Sequence, residues 1–492
     1  MALGAVDTYA VVTLLPQMMA SLELPIDHIE QATPIVSGFL AGYVVALPLL
    51  GTFSDARGRL PAYAAGLLLF ALGSLLTATA GSSAVLISGR TLQGLGGGAL
   101  VPLSLALAAD LFSGARLAPA VGGVSAVQEA GSVLGPVWGA ALAGWLGNWR
   151  GVFWLNLPLA AFLLGGLLLT ASRDGARAAQ PRLSGVDWVG AVLFGLALGL
   201  VVLALYPDEP SRHALNSMVA PLGVAAAAAV ASFVWWQRRR VEPLVGGVLV
   251  RSPALWASLV ANVLGGAALV VALVEVPLLG RGVYGLSTTN AGLLLTRFLL
   301  GLPLGALAGG LLAGRLGRRI TAIAGFCLAA ASYVLMSTWG GQELTASPLR
   351  AELELALAGA GFGLVIAPLT AVVIEVAGPR QRGLGGSLVV LARTLGMVLG
   401  LAALTAYGLA RFQRIFDARS CGTPSGANLG EQVSALETCT KGALLQEYRE
   451  LFLIAAAACV LAALLVAVWL RTPTIPPNAL PAKPARSVSA AP

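Results

Sequence analysis

Lysine is almost missing from this chain: among 492 residues it stands only at Lys441 and Lys483. A nucleotide-cradling loop of the G-x-x-x-x-G-K-[ST] type needs a lysine at its end, so an ATP-driven pump has no candidate residue here. Histidine is as scarce. His28 and His213 both fall in polar connections between apolar runs, which excludes a histidine metal site or proton relay inside those runs. Charge is also sparse, at 11% of residues against about 25% in a soluble domain. Hydrophobic residues make up 57%. Only a polytopic membrane protein has this composition. The first apolar run is not a secretory signal, because no cleavage pattern ends it and similar runs continue along the chain. The net charge of +8 sits on arginines between those runs, where it orients the chain and does not mark a nucleic-acid partner.

Fourteen apolar segments are long enough to be membrane helices, for which about 20 residues suffice. Six come first: Ala2–Met19, Thr33–Leu50, Leu60–Ala80, Ala84–Ala109, Ala118–Trp145 and Val152–Ala171. Two follow between polar connections, Trp188–Tyr206 and Ser217–Trp236. The last six are Ala254–Leu279, Thr288–Gly314, Ile320–Trp339, Leu353–Ala377, Leu384–Ala410 and Leu451–Leu470. The expected plan is therefore an all-α 6+2+6 protein. It has a six-helix half at 1–171, two linker helices within 172–252, a second six-helix half at 253–475 with an outer loop at 412–450, and a tail at 476–492. With the N-terminus inside, fifteen arginines fall in inner loops. Four (Arg150, Arg212, Arg281 and Arg350) fall in short outer ones. That bias puts both termini in the cytoplasm.

The two sixes look like copies. G-T-F-S-D-A-R-G-R-L at Gly51–Leu60 is echoed by G-L-L-A-G-R-L-G-R-R at Gly310–Arg319, an offset of 259 residues. Glu129 and Arg393 lie 264 apart and both precede a V-L-G, so a matching acid and base occupy matching segments. Transporters are known to repeat halves in this way with the site between them.

Ionisable residues inside the apolar segments are costly and generally functional. The acids are Asp7, Glu129 and Glu275, and the bases are Arg90, Arg297 and Arg393. Three of each balance, and all six are expected to converge on one interior cavity. Glu129 lies near the middle of its segment and is the first candidate for a proton carrier, with Asp7 second. Desolvation favours the protonated carboxyl and a nearby Arg393 or Arg90 the ionised one, so a motion that changes the pairing changes proton affinity. Gln93, three residues from Arg90, shares its helix face. Beside Glu129, Gly131, Gly135 and Gly139 recur every four residues with Pro136 among them. That spacing lets a neighbouring backbone approach closely at a point where the helix is weakened. The stretch Gly51, Asp55, Arg57, Gly58 and Arg59, with Arg315 and Arg318 in the second copy, reads as a cytoplasmic latch. Asp110 and Glu375 at inner helix ends read as caps or loop partners.

These motifs resemble the major facilitator superfamily over nearly the whole chain, in particular its fourteen-helix drug:proton antiporter branch. G-x-x-x-D-x-R-G-R at Gly51–Arg59, R-x-x-Q-G-x-G at Arg90–Gly96, G-x-x-x-G-P-x-x-G at Gly131–Gly139, D-T-Y-A-V-V-T-L-L-P at Asp7–Pro16 and W-R-G-V-F-W-L-N-L-P at Trp149–Pro158 carry the likeness. L-G-A-V-D-T-Y, A-V-Q-E-A-G-S-V-L-G-P and V-L-A-R-T-L-G-M make it most similar to the mycobacterial triacylglyceride exporters of that branch, which work with a periplasmic lipoprotein. The chain departs from the pattern at Ala56, where an arginine usually follows the aspartate, and at Gly314, which replaces the aspartate of the second copy. It also begins only six residues before Asp7, a shorter lead than relatives have. The resemblance implies a proton-driven exporter in the inner membrane, with no cofactor beyond the proton gradient and with Asp7, Glu129 and Arg393 in coupling.

The segments around the charges offer mostly Leu, Val, Ala and Gly. A sugar needs more hydrogen-bonding groups than that, and a lipophilic cation needs a surplus of acid. A neutral lipid such as triacylglycerol entering sideways from the bilayer fits better; a multidrug antiporter is the alternative cargo reading. A mostly apolar cavity open to the side follows. A lipid-modifying enzyme would need a base within a span, and there is no histidine for it. Leu409–Ile415 and Leu436–Tyr448 could extend the last two helices beyond the membrane. Cys327 and Cys459 lie in apolar segments, whereas Cys421 and Cys439 share the outer loop and are expected to form a disulfide.

Overall fold

A computed structural model describes residues 2–22, 33–173, 187–205, 216–240, 243–244, 251–418 and 429–470. The described chain is helical, and no strand occurs among these residues. Fourteen of its helices have eighteen residues or more. The first six are α1 (Ala2–Ser21), α2 (Thr33–Arg57), α3 (Arg59–Ala78), α4 (Ser83–Leu111), α5 (Leu117–Leu146) and α6 (Arg150–Arg173). Two more follow, α7 (Trp188–Leu205) and α8 (Val219–Arg239). The last six are α9 (Pro253–Gly282), α10 (Thr288–Leu316), α11 (Arg318–Met336), α12 (Pro348–Ala377), α13 (Arg382–Ala418) and α14 (Leu429–Trp469).

Twelve of these, not the fourteen expected, are apolar and long enough to count as membrane spans among the described residues. The two that fall short are α1 and α5, the helices carrying Asp7 and Glu129. Helix α5 also spends six positions on glycine and two on proline, which dilutes its hydropathy without preventing a helix.

Local chemistry sets the helix ends. The side chains of Ser82, Ser252 and Ser287 each accept the backbone N–H three residues on, satisfying one of the orphan donors of α4, α9 and α10. Gly58 (φ 95°) and Gly317 (φ 90°) break α2 from α3 and α10 from α11. Both occupy left-handed backbone that only glycine adopts cheaply. They stand 259 residues apart, at the same point of the two repeats.

Packing repeats as well. Among the first six helices α4 is central, packed by α2 and α3, while α1 packs on α5 and α3 on α6. Among the last six, α12 is packed by α10 and α11, α9 lies on α13, and α11 lies on α14. The two groups meet where α5 contacts α10 and α12, and where α13 contacts α2 and α4. Helix α7 lies on α2, with Gly195 and Gly199 against Val45, and α8 lies on α7. Asp187 ties that pair by accepting from Trp236 Nε1 at 2.7 Å and from Gln237 Nε2.

The loop expected at 412–450 is largely helix. Helices α13 and α14 have 37 and 41 residues, and at about 1.5 Å per residue each outruns a hydrocarbon core about 30 Å thick. They pair through Arg411, which donates to both oxygens of Glu450 at 2.7 Å.

Candidate functional site

A cavity of about 340 Å³ lies between the two groups of six helices. On α5 the helical stripe Glu129, Ser132 and Pro136 faces it, and on α13 the stripe Val390, Arg393, Thr394 and Met397 does so. Leucines of α9 and α10 and the rings of Tyr9, Phe39 and Tyr43 complete a mostly apolar wall. Across the cavity Arg393 Nη1 donates to Glu129 Oε1 at 2.8 Å. The pair is partly accessible, at 18% and 8% side-chain exposure. Among the described residues it is the only contact Glu129 makes with a hydrogen-bonding partner. One carboxylate oxygen of this cavity-lining residue thus has no donor among the described residues.

Asp7 and Arg90 form a separate pair. Arg90 Nη1 donates to Asp7 Oδ2 at 2.8 Å, and Asn156 Nδ2 donates to Asp7 Oδ1 at 2.6 Å, so both carboxylate oxygens are occupied. The same Arg90 nitrogen reaches Gln93 Oε1 at 2.7 Å, and Gln93 Nε2 donates to Ser74 Oγ at 2.8 Å. The pair is sealed at 1% and 2% exposure. Phe39, one wall of the cavity, has its ring 4.3 Å from the Arg90 guanidinium. Four helices, α1, α3, α4 and α6, are joined by this one network. Ser74 was invisible as a site residue, since a lone hydroxyl in an apolar segment carries no signature, and Asn156 was legible only as part of the Trp149–Pro158 motif and not as a partner of Asp7.

The six charges do not converge. Arg297 points away from the cavity and pairs with Glu352 at 3.0 Å, both side chains near 40% exposure (40% and 43%). Glu275 is buried against α14, with Glu447 and Tyr448 as its titratable neighbours, and does not line the cavity. The reason is helical phase. Leu295 and Leu299 on α10, and Leu269 and Leu273 on α9, face the cavity. Arg297 and Glu275 each stand two residues from that stripe, about 200° around the helix. The cavity itself holds one acid and one base.

The residues expected to form the latch gather where α2, α3, α4 and α13 end or begin. Asp55 accepts the backbone N–H groups of Gly383 and Leu384 at 2.8 and 2.9 Å, capping α13. Arg59 donates to Asp55 Oδ1 and Ser54 Oγ at 2.7 Å each, and to Asp110 Oδ2 at 2.7 Å. Asp110 also accepts from Arg382 at 2.8 Å, so it joins the two groups and is more than a cap. Gly51 sits where an added Cβ would meet Gly383 and Ser387 of α13. In the second copy Arg318 pairs with Glu375 and reaches the Gly114 carbonyl at 3.4 Å. Arg57 and Arg315 are exposed and stand outside both networks.

Gly131, Gly135 and Gly139 are buried, on the side of α5 away from Glu129. A Cβ at Gly135 or Gly139 would collide with Val6, Tyr9 or Ala10, so the seam packs α5 on α1. Thr13 Oγ1 donates to the Pro136 carbonyl at 3.3 Å across it. Of the cysteines, Cys327 and Cys459 are free and Cys439 is disulfide-bonded; its expected partner Cys421 lies outside the described residues.

Two repeated helical groups around a central cavity, with an ion pair spanning them, are the architecture of a membrane carrier. The model of the Major Facilitator Superfamily matches residues 1–401 and 284–492, and the chain belongs to that family. A triacylglyceride transporter of Mycolicibacterium smegmatis is 40% identical over 476 residues, 94% of this chain and 84% of that protein. The triacylglyceride transporter of Mycobacterium tuberculosis strain H37Rv is 40% identical over 94% of this chain and 91% of its own length. The solved human organic anion transporter superposes with a TM-score of 0.61 at 19% identity, covering 93% of this chain and 96% of that one. A proton:xylose symporter gives 0.61 at 16%, covering 96% and 94%. These two show the fold alone.

Proposed function

We propose that this chain is a secondary exporter of a neutral lipid of the triacylglycerol class, driven by inward proton movement, with Glu129 as the proton carrier. The observation that carries this reading is the Glu129–Arg393 pair, which joins the two helical groups across a mostly apolar cavity. A proton arriving on Glu129 neutralises the acid and releases Arg393, so the groups lose their central tie and rock. Asp7, with both oxygens occupied and no access, serves as a strut between α1, α4 and α6. The Asp55–Arg59–Asp110–Arg382 network is the inner latch, and it breaks on each cycle.

The relatives described as triacylglyceride transporters support the cargo class. So does the charge balance of the cavity, which has no spare acid for a cationic drug. A cavity of about 340 Å³ is smaller than a lipid with three long chains. The glycerol ester region therefore occupies it while the chains stay in the bilayer through a lateral opening between the groups.

In this reading α1 and α5 also cross the bilayer, completing fourteen spans with both termini cytoplasmic. The protein sits in the inner membrane as a monomer, with halves at 1–171 and 253–475, linker helices at 172–252 and a tail at 476–492. It hands lipid to a periplasmic lipoprotein. Proteoliposomes with an imposed pH gradient test the proposal by comparing labelled triolein with a cationic dye. Gradient-driven movement of triolein is expected. Movement of the dye alone would replace the lipid reading with multidrug efflux.

A further inference from the structure

Arg393 borders two spaces. On one side is the central cavity with Glu129. On the other is a chamber of about 20 Å³ within the last six helices, lined by Asn262, Gly265, Gly266, Phe326, Phe362 and Arg393 among others. That volume holds one water molecule, for which about 10–15 Å³ suffices. Besides Arg393, Asn262 is the only residue lining it with a polar side chain. Asn262 is 6% exposed, and its Nδ2 donates to the Ser258 carbonyl at 2.8 Å, which turns the amide oxygen into an acceptor with no donor among the described residues.

Helix geometry places Asn262 one turn from the Arg393 backbone, with both residues lining the same small chamber. Asn262 and Gly266 are four apart on one face of α9, and an added Cβ at Gly266 would run into the Arg393 carbonyl. Gly396 likewise abuts Val263, and Gly400 abuts Ala267. The α9 and α13 backbones therefore touch at this point, with Asn262 one turn from the crossing. Both residues belong to the last six helices, whereas Glu129 belongs to the first six.

We propose that Asn262, with one water in the chamber, is the alternate partner of Arg393, receiving the guanidinium when Glu129 is protonated. This rests on the reading of Glu129 as proton carrier. Glu129 takes up a proton and becomes a neutral acid, Arg393 keeps its own proton throughout, and the guanidinium exchanges a carboxylate for an amide oxygen and a water. A buried cation left with no acceptor would hold the proton off Glu129. An acceptor that travels with Arg393 removes that obstacle when the two groups separate. An amide is also weaker than a carboxylate as a partner for arginine, so the pair re-forms once the proton leaves. The other titratable groups facing Arg393 are Tyr9 on α1 and Tyr43 on α2, both on the Glu129 side.

The experiment reads the protonation midpoint of Glu129 by infrared titration of its carboxyl band in the purified full-length protein, with E129Q identifying the band. Gradient-driven triolein transport is measured in parallel in proteoliposomes. N262L removes the acceptor at similar volume. It is expected to lower the midpoint by about one pH unit and slow transport about tenfold. N262D offers Arg393 a competing carboxylate and is expected to raise the midpoint and slow transport as well; it serves if N262L does not fold. A midpoint and transport rate unchanged from wild type in the folded variant overturn the role of Asn262 while leaving Glu129 in place. Wild-type uphill transport by E129Q would overturn the coupling reading and this proposal together.

Discussion

Two acid–arginine pairs in this protein are built from the same chemistry, and the ring of Phe39 packs on one and lines the cavity of the other. Asp7–Arg90 lies wholly within the first six helices, with both carboxylate oxygens engaged and almost no exposure. Glu129–Arg393 spans the two groups, with one oxygen engaged and a cavity in front of it. A carboxylate that must gain and lose a proton needs a path to it and a partner that can leave. Only the second pair has a cavity in front of it and a partner on the other group of helices. Under the proposed mechanism, the connectivity around each pair, more than its burial or its cationic neighbour, sets the two apart.

Substitutions test this contrast. The largest effect on function is expected at the cavity pair, where Glu129→Gln should abolish gradient-driven transport yet leave the unfolding temperature in detergent close to wild type. Asp7→Ala should act mainly on the fold, because it strands Arg90 in the interior at a cost of about 3–5 kcal/mol. A thermal scan that finds the Asp7→Ala protein as stable as wild type would remove its role as a strut. At the inner latch, Asp55→Ala takes away the cap of α13 at about 1–2 kcal/mol, enough to shift the closed–open balance roughly 5–30-fold. Spin labels across the inner face should report a wider distance; an unchanged one would leave Asp55 an ordinary cap. The smallest effect belongs to the third arginine, since Arg297–Glu352 is half-exposed and such pairs contribute about 0–1 kcal/mol. Arg297→Ala should transport at the wild-type rate in the same liposome assay, and a large loss would bring this residue back into the coupling machinery.

Much of the Asp55–Arg59 network was legible because it is local. Gly51, Asp55, Gly58 and Arg59 lie within nine residues, and a turn between two helices leaves few arrangements for them. What could not be seen there was Asp110, which bridges Arg59 and Arg382 from the far end of α4. The glycine seam was legible as a close-packing face, though not its partner, α1. Ser74 left no mark on the sequence and Asn156 showed only as part of a motif, while the convergence of six charges failed at Arg297 and Glu275 because a residue's depth in a segment does not reveal its phase relative to a cavity.

Composition and apolar spacing by themselves determined that the chain is a helical membrane protein with repeated sixes, since in lipid every backbone group must be satisfied within its own helix. They also singled out the acids and arginines, because charge in such segments is too costly to be incidental. Which acid met which arginine was decided only in three dimensions. Asp7 and Arg90 are 83 residues apart, and Glu129 and Arg393 are 264 apart. A charge pairs with whatever the packing of whole helices brings within about 3 Å, and that packing is set by glycine faces and side-chain volumes spread over several helices at once.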